Sequence, residues 1–560
     1  MKAYHKIKSF SFILFALFLT VSCTKDFQEE NTNPALVSEE LVAPEFLLSG
    51  VQYGIKGGMS AADVGNYCGM TVRVDNAPFV DHFDDGAWNA TYTSYCNNLA
   101  AIIRKTQDDP EMVNKKAIAR IMKVWIYSQM TDIYGDIPYF EANKSPEEAI
   151  ASPKYDLQKD IYQDFFKELK EDAAELDLSK ASYDDADFYY GGDVTKWKKF
   201  ANSLRLRLAL HVRYADEQIA KDNVSDLSEA DLITTREDDA SIYTTDDIEA
   251  NRNPAYNNIA NGADPAERQD YVGHQLAGKA LLDALIGSSP PTNPLDPRTK
   301  VIADTAVLNG ATLNPPHALF GFRAQPLLGN VPVENKYPYG AGSTSLFSLF
   351  WYVPVIEQPV LRSSEVYFAL AEAALVGLIS GQDPNVYFKK GIEASITETQ
   401  DLYNKGKEMM PNLLELVYGS GFDVNKFLDY KEMKQSEIDA FLASPVTMLT
   451  GSEEEQLGQI INQKIIALYP NELEGWTEWR RTGYPRVLVA ENEQSTFHGV
   501  SPRRQHYPNN ERLVNSHHFQ EAVDRMGGTD DLLSRMWWDA NTNAPHEHPG
   551  SVEWRATPWK

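Results

Sequence analysis

The sequence predicts a mainly α fold in which helices pair along the chain and two loop-rich stretches interrupt them. Three observations carry that expectation. Apolar residues recur with a period near 3.6 in segment after segment. Small residues line one helix where a partner would cross closely, and Pro, Gly and Asn gather in two regions instead of being spread evenly. The 560 residues, 43% hydrophobic and 24% charged, can build a sizeable core, which excludes global disorder and a small disulfide scaffold.

The chain opens with Lys2, Lys6 and Lys8, then the apolar run Phe10 to Val21, then Ser22-Cys23. The run is too short to span a bilayer, which needs roughly 20 residues. Basic, apolar and small residues in this order make a secretory signal. A cysteine directly after the cleavage position resembles a bacterial lipoprotein signal, so Cys23 is the expected lipid attachment. Thr20 departs from that pattern, which prefers a branched apolar residue there. Residues 1–22 are thus the expected signal peptide, 23–34 a flexible lipid-proximal tether, and 35–560 a single domain with loop-rich insertions around 246–352 and 494–560. Acidic residues beside the lipidated cysteine resemble the export signal of surface lipoproteins. Losing the leader removes three lysines and no acids, taking the net charge from −28 to −31. So negative a chain argues against nucleic-acid binding and against basic attachment to anionic lipid. Cys68 and Cys96 could pair in an oxidising compartment, but neither has a ligand-spaced partner for zinc.

The helices follow in order. One starts near Trp88. Met112 to Tyr134 carries Ile118, Ile121, Met122, Trp125, Ile126 and Ile133, and Gly135 and Pro138 mark its end. Leu157 to Leu176, Trp197 to Tyr214, Arg362 to Leu378, Asp383 to Tyr403, Glu453 to Leu468 and Glu472 to Arg481 repeat the pattern. Met112–Tyr134 is expected to pair with Leu157–Leu176, and Trp197–Tyr214 with Arg362–Leu378. Ala369, Ala371, Ala373 and Ala374 would permit close crossing. The style is that of tetratricopeptide units with a degenerate period.

Several stretches then converge. Ile133-Tyr134-Gly135-Asp136-Ile137-Pro138-Tyr139 closes a helix, and Lys196 to Arg207 forms an amphipathic one. Ser364 to Ala374 opens another, and Glu474-Gly475-Trp476-Thr477-Glu478-Trp479-Arg480-Arg481-Thr482-Gly483-Tyr484-Pro485 ends one. Pro502-Arg503-Arg504, Tyr507-Pro508, Glu511 and Met536-Trp537-Trp538-Asp539 follow. Together, behind a lipoprotein signal, these resemble the SusD/RagB family of outer-membrane nutrient-binding lipoproteins. The resemblance implies a tetratricopeptide-like scaffold with a loop-rich, ligand-facing region and no catalysis. It implies a SusC-like TonB-dependent transporter as partner, an oligosaccharide or peptide as ligand, and a lipid anchor facing the cell exterior.

Most of these motifs read as structure. Trp476 and Trp479 share a helix face, and Gly483 suits a left-handed cap. Arg480 and Arg481 would pair with acids or last-turn carbonyls, and Trp125 and Trp197 sit at core spacing. Ligand contacts belong in loops, where flat apolar faces and polar groups meet. Phe79 and Phe83 in the loop Thr71 to Gly86, and Tyr337, Tyr339, Phe347 and Trp351 in Lys336 to Tyr352, are the candidates. No cofactor is expected, although Asp84-Asp85, Asp184-Asp185-Asp187 or Asp238-Asp239 leave room for calcium. The same acids and aromatics support an alternative, a surface glycan hydrolase whose two carboxyls would need a set separation. A second alternative is a structural helical-repeat lipoprotein without a small ligand. The pairs His517-His518 and His546/His548 fall in what reads as tail loop.

Overall fold

The computed structural model describes residues 41–59, 64–73, 85–145, 147–264, 267–268, 275–277, 281, 284–285, 294–303, 307–308, 311–312, 348–485 and 501–544. The leader, the tether and Cys23 lie outside these residues.

Ten of the described helices build the scaffold: α1 (Pro44–Ile55), α2 (Cys96–Thr106), α3 (Val113–Tyr134), α4 (Gln158–Glu175), α5 (Val194–Val212), α6 (Ser363–Leu375), α7 (Pro384–Tyr418), α8 (Glu453–Leu468), α9 (Glu472–Thr482) and α10 (Ser516–Arg525). They pack as successive neighbours: α2 on α3, α3 on α4, α4 on α5, α5 on α6, α6 on α7 and α8, and α8 on α9. Both expected pairs form. The mainly α, paired-helix expectation therefore holds, and no described helix is long and apolar enough to cross a membrane.

Caps set where helices begin. Asp193 accepts from the backbone N–H of Thr195 and Lys196 at the start of α5. Ser452 and Glu455 cap α8 reciprocally. Gly483 closes α9 at φ 79°, as its position predicted. The alanine face of α6 is buried, so α6 and α7 approach closely.

Three differences from the sequence reading stand out. First, α7 continues to Tyr418, past the expected end at Tyr403, with Pro411 inside it. Met410, Leu413, Leu414 and Val417 are buried, so tertiary packing overrides the break that proline imposes. Second, α1 and α10 were not anticipated; α10 places His517 and His518 on a helix and not in a loop. Third, the helix expected near Trp88 does form, but as part of a longer run over residues 86–106 that a π turn interrupts: Gly86–Ala90, Thr91–Tyr95 and α2. The thiols of Cys68 and Cys96 are buried and free.

Sheet is sparse. β1 (Thr71–Arg73) pairs with β3 (Gln275–Ala277), β2 (Ala240–Tyr243) with β6 (Glu357–Leu361), and β4 (Val307–Leu308) with β5 (Ala311–Thr312), all antiparallel. The β2–β6 ribbon delivers the chain into α6 and positions Gln358 and Pro359 at the site below.

Candidate functional site

A polar seam inside the helices accounts for most of the chemistry-bearing residues in the motifs. Arg481 of α9 makes a bidentate pair with Glu372 of α6 at 2.5 Å and also meets Glu478. Lys464 of α8 donates to Glu478 at 2.9 Å. Arg207 of α5 donates to both oxygens of Glu365 at 2.6 Å. Arg480 donates to the carbonyls of Asp132 and Arg503, and its guanidinium lies 3.5 Å over the Trp476 ring. His211 stands between Glu474 at 2.9 Å and Asp132 at 3.2 Å. Burial alone would push the His211 pKa down. Glu474 and Asp132 more than reverse that and hold it at about 9. Burial likewise raises Glu372, but Arg481 and Arg213 hold it down at about 2. All these groups except the half-buried Arg213 are buried, so the seam joins elements.

Three acids of the candidate clusters, Asp187, Asp238 and Asp239, are spent similarly, while Asp184 and Asp185 are exposed and Asp84 lies outside the described residues. Asp187 accepts from Gln52 Nε2 at 2.7 Å, Trp197 Nε1 at 2.6 Å and the Gly192 N–H at 3.0 Å. Asp239 accepts from Arg236 and from the Ser363 N–H, and Asp238 from Lys199 at 2.7 Å. Trp125, Trp197, Trp476 and Trp479 are all core, as is Trp538, while Trp537 is half-buried against Tyr162.

The surface offers a cleft of about 590 Å³. Three walls form it. The first is the end of α1 with the turn Lys56-Gly57-Gly58-Met59; the second is the start of the run at Gly86, with Tyr95. The third joins Gln358 and Pro359 of β6 to Pro470, Asn471 and Glu472 ahead of α9. A Cβ on Gly57 would stand 2.9 Å from the Pro359 carbonyl oxygen, so only glycine lets these walls approach. Tyr95 donates to the Gly54 carbonyl at 3.0 Å, and burial raises its pKa. The Met59 N–H donates to Gln129 at 2.8 Å and ties the turn to α3. Lys56, Gln358 and Glu472 are half-buried along the wall and present an ammonium, an amide and a carboxylate. Such a mix can orient a polyhydroxylated ligand or an amide-bearing one.

Of the sequence-predicted aromatics, Phe79, Phe83, Tyr337, Tyr339 and Phe347 lie outside the described residues. Trp351 is half-buried. Its Nε1–H donates to the Ile302 carbonyl at 3.2 Å, and its ring meets Tyr469 edge-on at 4.6 Å. It lines a small hollow of about 30 Å³ that shares Pro359 and Pro470 with the cleft, so it is a neighbour of the cleft and not its floor. Phe350, from the same loop, is core between Tyr403 and Phe427. The cleft residues themselves were not singled out from sequence. The signal available was the glycine pair Gly57-Gly58 directly after a helix.

A paired-helix solenoid whose ionisable motif residues are locked inside, and which opens one glycine-rimmed cleft, has the build of a binding protein. A family model described as SusD-like, "Starch-binding associating with outer membrane", matches residues 59–508. The chain belongs to this SusD-like family of outer-membrane-associated binding proteins. Among solved structures, a chitin-binding protein is 28% identical, with a TM-score of 0.70, over 89% of this chain and 100% of its own. A SusD homolog from Bacteroides fragilis is 22% identical, with a TM-score of 0.67, over 89% and 100%. A chitin-binding SusD homolog from Flavobacterium johnsoniae is 20% identical, with a TM-score of 0.61, over 89% and 98%; these last two share the fold. No curated protein matches the chain.

Proposed function

We propose that this protein is a surface lipoprotein, anchored through Cys23, that holds an oligosaccharide at the cleft and passes it to a SusC-like TonB-dependent barrel in the outer membrane. The observation that carries the reading is the position of the cleft. Met59 and Val64, on either side of residues 60–63, both line it, and so does Gly86, which follows the stretch holding Phe79 and Phe83. Trp351, at the end of the other aromatic-rich stretch, adjoins it through Tyr469-Pro470. One described residue at the end of each candidate stretch, Gly86 and Trp351, thus lies in the cleft or beside it.

The 28% identical relative binds chitin, which makes chito-oligosaccharides the first ligands to test. A neutral, acetamido-bearing sugar also suits a chain of charge −28, which disfavours polyanions. Calorimetry on residues 24–560 with chito-oligosaccharides, malto-oligosaccharides and mixed oligopeptides tests it. Saturable binding of a chito-oligosaccharide is expected, weakened about tenfold (~1.4 kcal/mol) by Gln358→Ala. Phe83→Ala and Tyr337→Ala should act in the same direction, because a stacked sugar face loses its platform. Binding of peptides alone would replace the ligand class. No saturable binding to any of the three would overturn the reading.

A further inference from the structure

Helix α10 lies outside the cleft. Its Phe519, Ala522 and Val523 are buried, and Phe519 meets Tyr507 at 5.9 Å, so the opposite face is fixed toward solvent. On a helix, residues three and four apart are neighbours. His517 stands four residues before Glu521 and His518 three before it. The structure places His517 Nε2 3.5 Å from Glu521 Oε1, and His518 Nδ1 2.8 Å from Glu521 Oε2. One imidazole nitrogen from each histidine and a carboxylate oxygen all lie within 4.8 Å of one another.

Tetrahedral zinc holds nitrogen and oxygen ligands at about 2.1 Å, which spaces neighbouring ligand atoms by roughly 3.4 Å. The His517–Glu521 pair already has that spacing. The His518–Glu521 pair is drawn closer by a hydrogen bond and needs to open by about half an ångström when an ion takes the place of the proton. We propose that His517, His518 and Glu521 form a surface site for a borderline divalent cation of the Zn²⁺ class, with the fourth position open to water or an outside donor. Two imidazoles and one carboxylate favour Zn²⁺, Ni²⁺ or Cu²⁺ over Ca²⁺, which prefers six or more oxygens.

The other grouping of this kind, His211, Glu474 and Glu478, is fully buried. Arg207 lies 3.9 Å from Glu474, and Lys464 and Arg481 already meet Glu478; a further cation there would meet three positive charges. The arginines on and just before α10 have carboxylate partners of their own, although Arg525 also acts on Glu521 through its charge. Arg525 donates to Asp136 at 2.7 Å, and Arg512 pairs with Asp530 at 3.2 Å.

The test is calorimetric titration of the mature chain with ZnCl₂ and, separately, CaCl₂. The expected result is one saturable Zn²⁺ site and no matching Ca²⁺ signal. His517→Ala, His518→Ala and Glu521→Gln should each weaken Zn²⁺ binding about tenfold or more, since losing a ligand costs no less than losing a group that merely orients one. His517 is exposed, and unchanged circular dichroism of its variant shows that the fold persists. Zn²⁺ binding that survives His517→Ala and Glu521→Gln but is lost in a His546→Ala/His548→Ala variant would overturn the assignment. So would the absence of saturable Zn²⁺ binding in the unaltered chain.

Discussion

At the scale of single residues, what the sequence names by type the fold completes by long reach. Arg480 and Arg481 were expected to meet acids or last-turn carbonyls. Arg481 does the first, with Glu372 109 positions away in sequence; Arg480 does the second, with Asp132 348 positions away. Pairings at such separations leave no local trace, so the kind of partner was legible and its identity was not. Removing one partner of a buried ion pair strands the other, which costs about 3–5 kcal/mol. Arg481→Ala leaves Glu478 with Lys464 at 2.9 Å and Glu372 with Arg213 at 2.8 Å. The loss therefore belongs at the lower end, about 3 kcal/mol. A urea midpoint lower by that energy divided by the slope, with the slope itself unchanged, is expected. A shift below about 0.5 kcal/mol would show that the seam does not hold α6 to α9.

At the scale of elements, periodicity located the long helices within a few residues and missed those whose signal was short or interrupted. α7 was read too short because Pro411 and Gly406 break a pattern that buried Met410, Leu413 and Val417 sustain. α10 was missed because a ten-residue helix that is otherwise polar has only Phe519, Ala522 and Val523 to announce it. The cleft was missed for a related reason: its lining comes from short, separate pieces of chain around Gly57, Gly86, Pro359 and Pro470, none of which carries a motif of its own. Gly391 shows local propensity and packing in opposition. In a helix interior Gly→Ala gains about 1 kcal/mol. At Gly391 a Cβ would stand 2.8–2.9 Å from three ring carbons of Phe368 across the α6–α7 crossing. Overpacking costs about 1–3 kcal/mol, so packing wins and Gly391→Ala is expected to lower stability by about 1 kcal/mol. Pairing it with Phe368→Leu should recover part of that loss. A Gly391→Ala variant more stable than the unaltered protein would mean that α6 and α7 separate freely.

At the scale of the whole molecule, the fold keeps protons that the unfolded chain would release. His211 titrates at about 9, raised by Glu474 and Asp132 against the effect of burial. Burial raises Asp172 to about 9, despite Arg120 at 3.2 Å. Burial, with Glu398 beside it, raises Asp239 to about 8. The unfolded values are about 6.5 for histidine and 3.9 for aspartate. The His211 contribution is therefore complete below about pH 6.5 and lost as the pH rises through 9. The two aspartates change in the same direction, since the folded state holds a proton to pH 8 or 9 that the unfolded state loses near 4. Carboxylates held low, such as Glu372 at about 2, lose their contribution only below about pH 4.5 and stay constant across this window. Arg503, which burial pulls down to about 9, changes in the opposite sense, but only from about pH 9 upward, at the edge of this window. The melting temperature is expected to fall steadily from pH 6.5 to pH 9, by an amount equivalent to a few kcal/mol. In His211→Gln the slope should be visibly flatter, whatever the variant's absolute stability. A melting temperature that is flat or rising over that range would mean that His211 is buried neutral, and that Glu474 is balanced by Arg207 and Lys464.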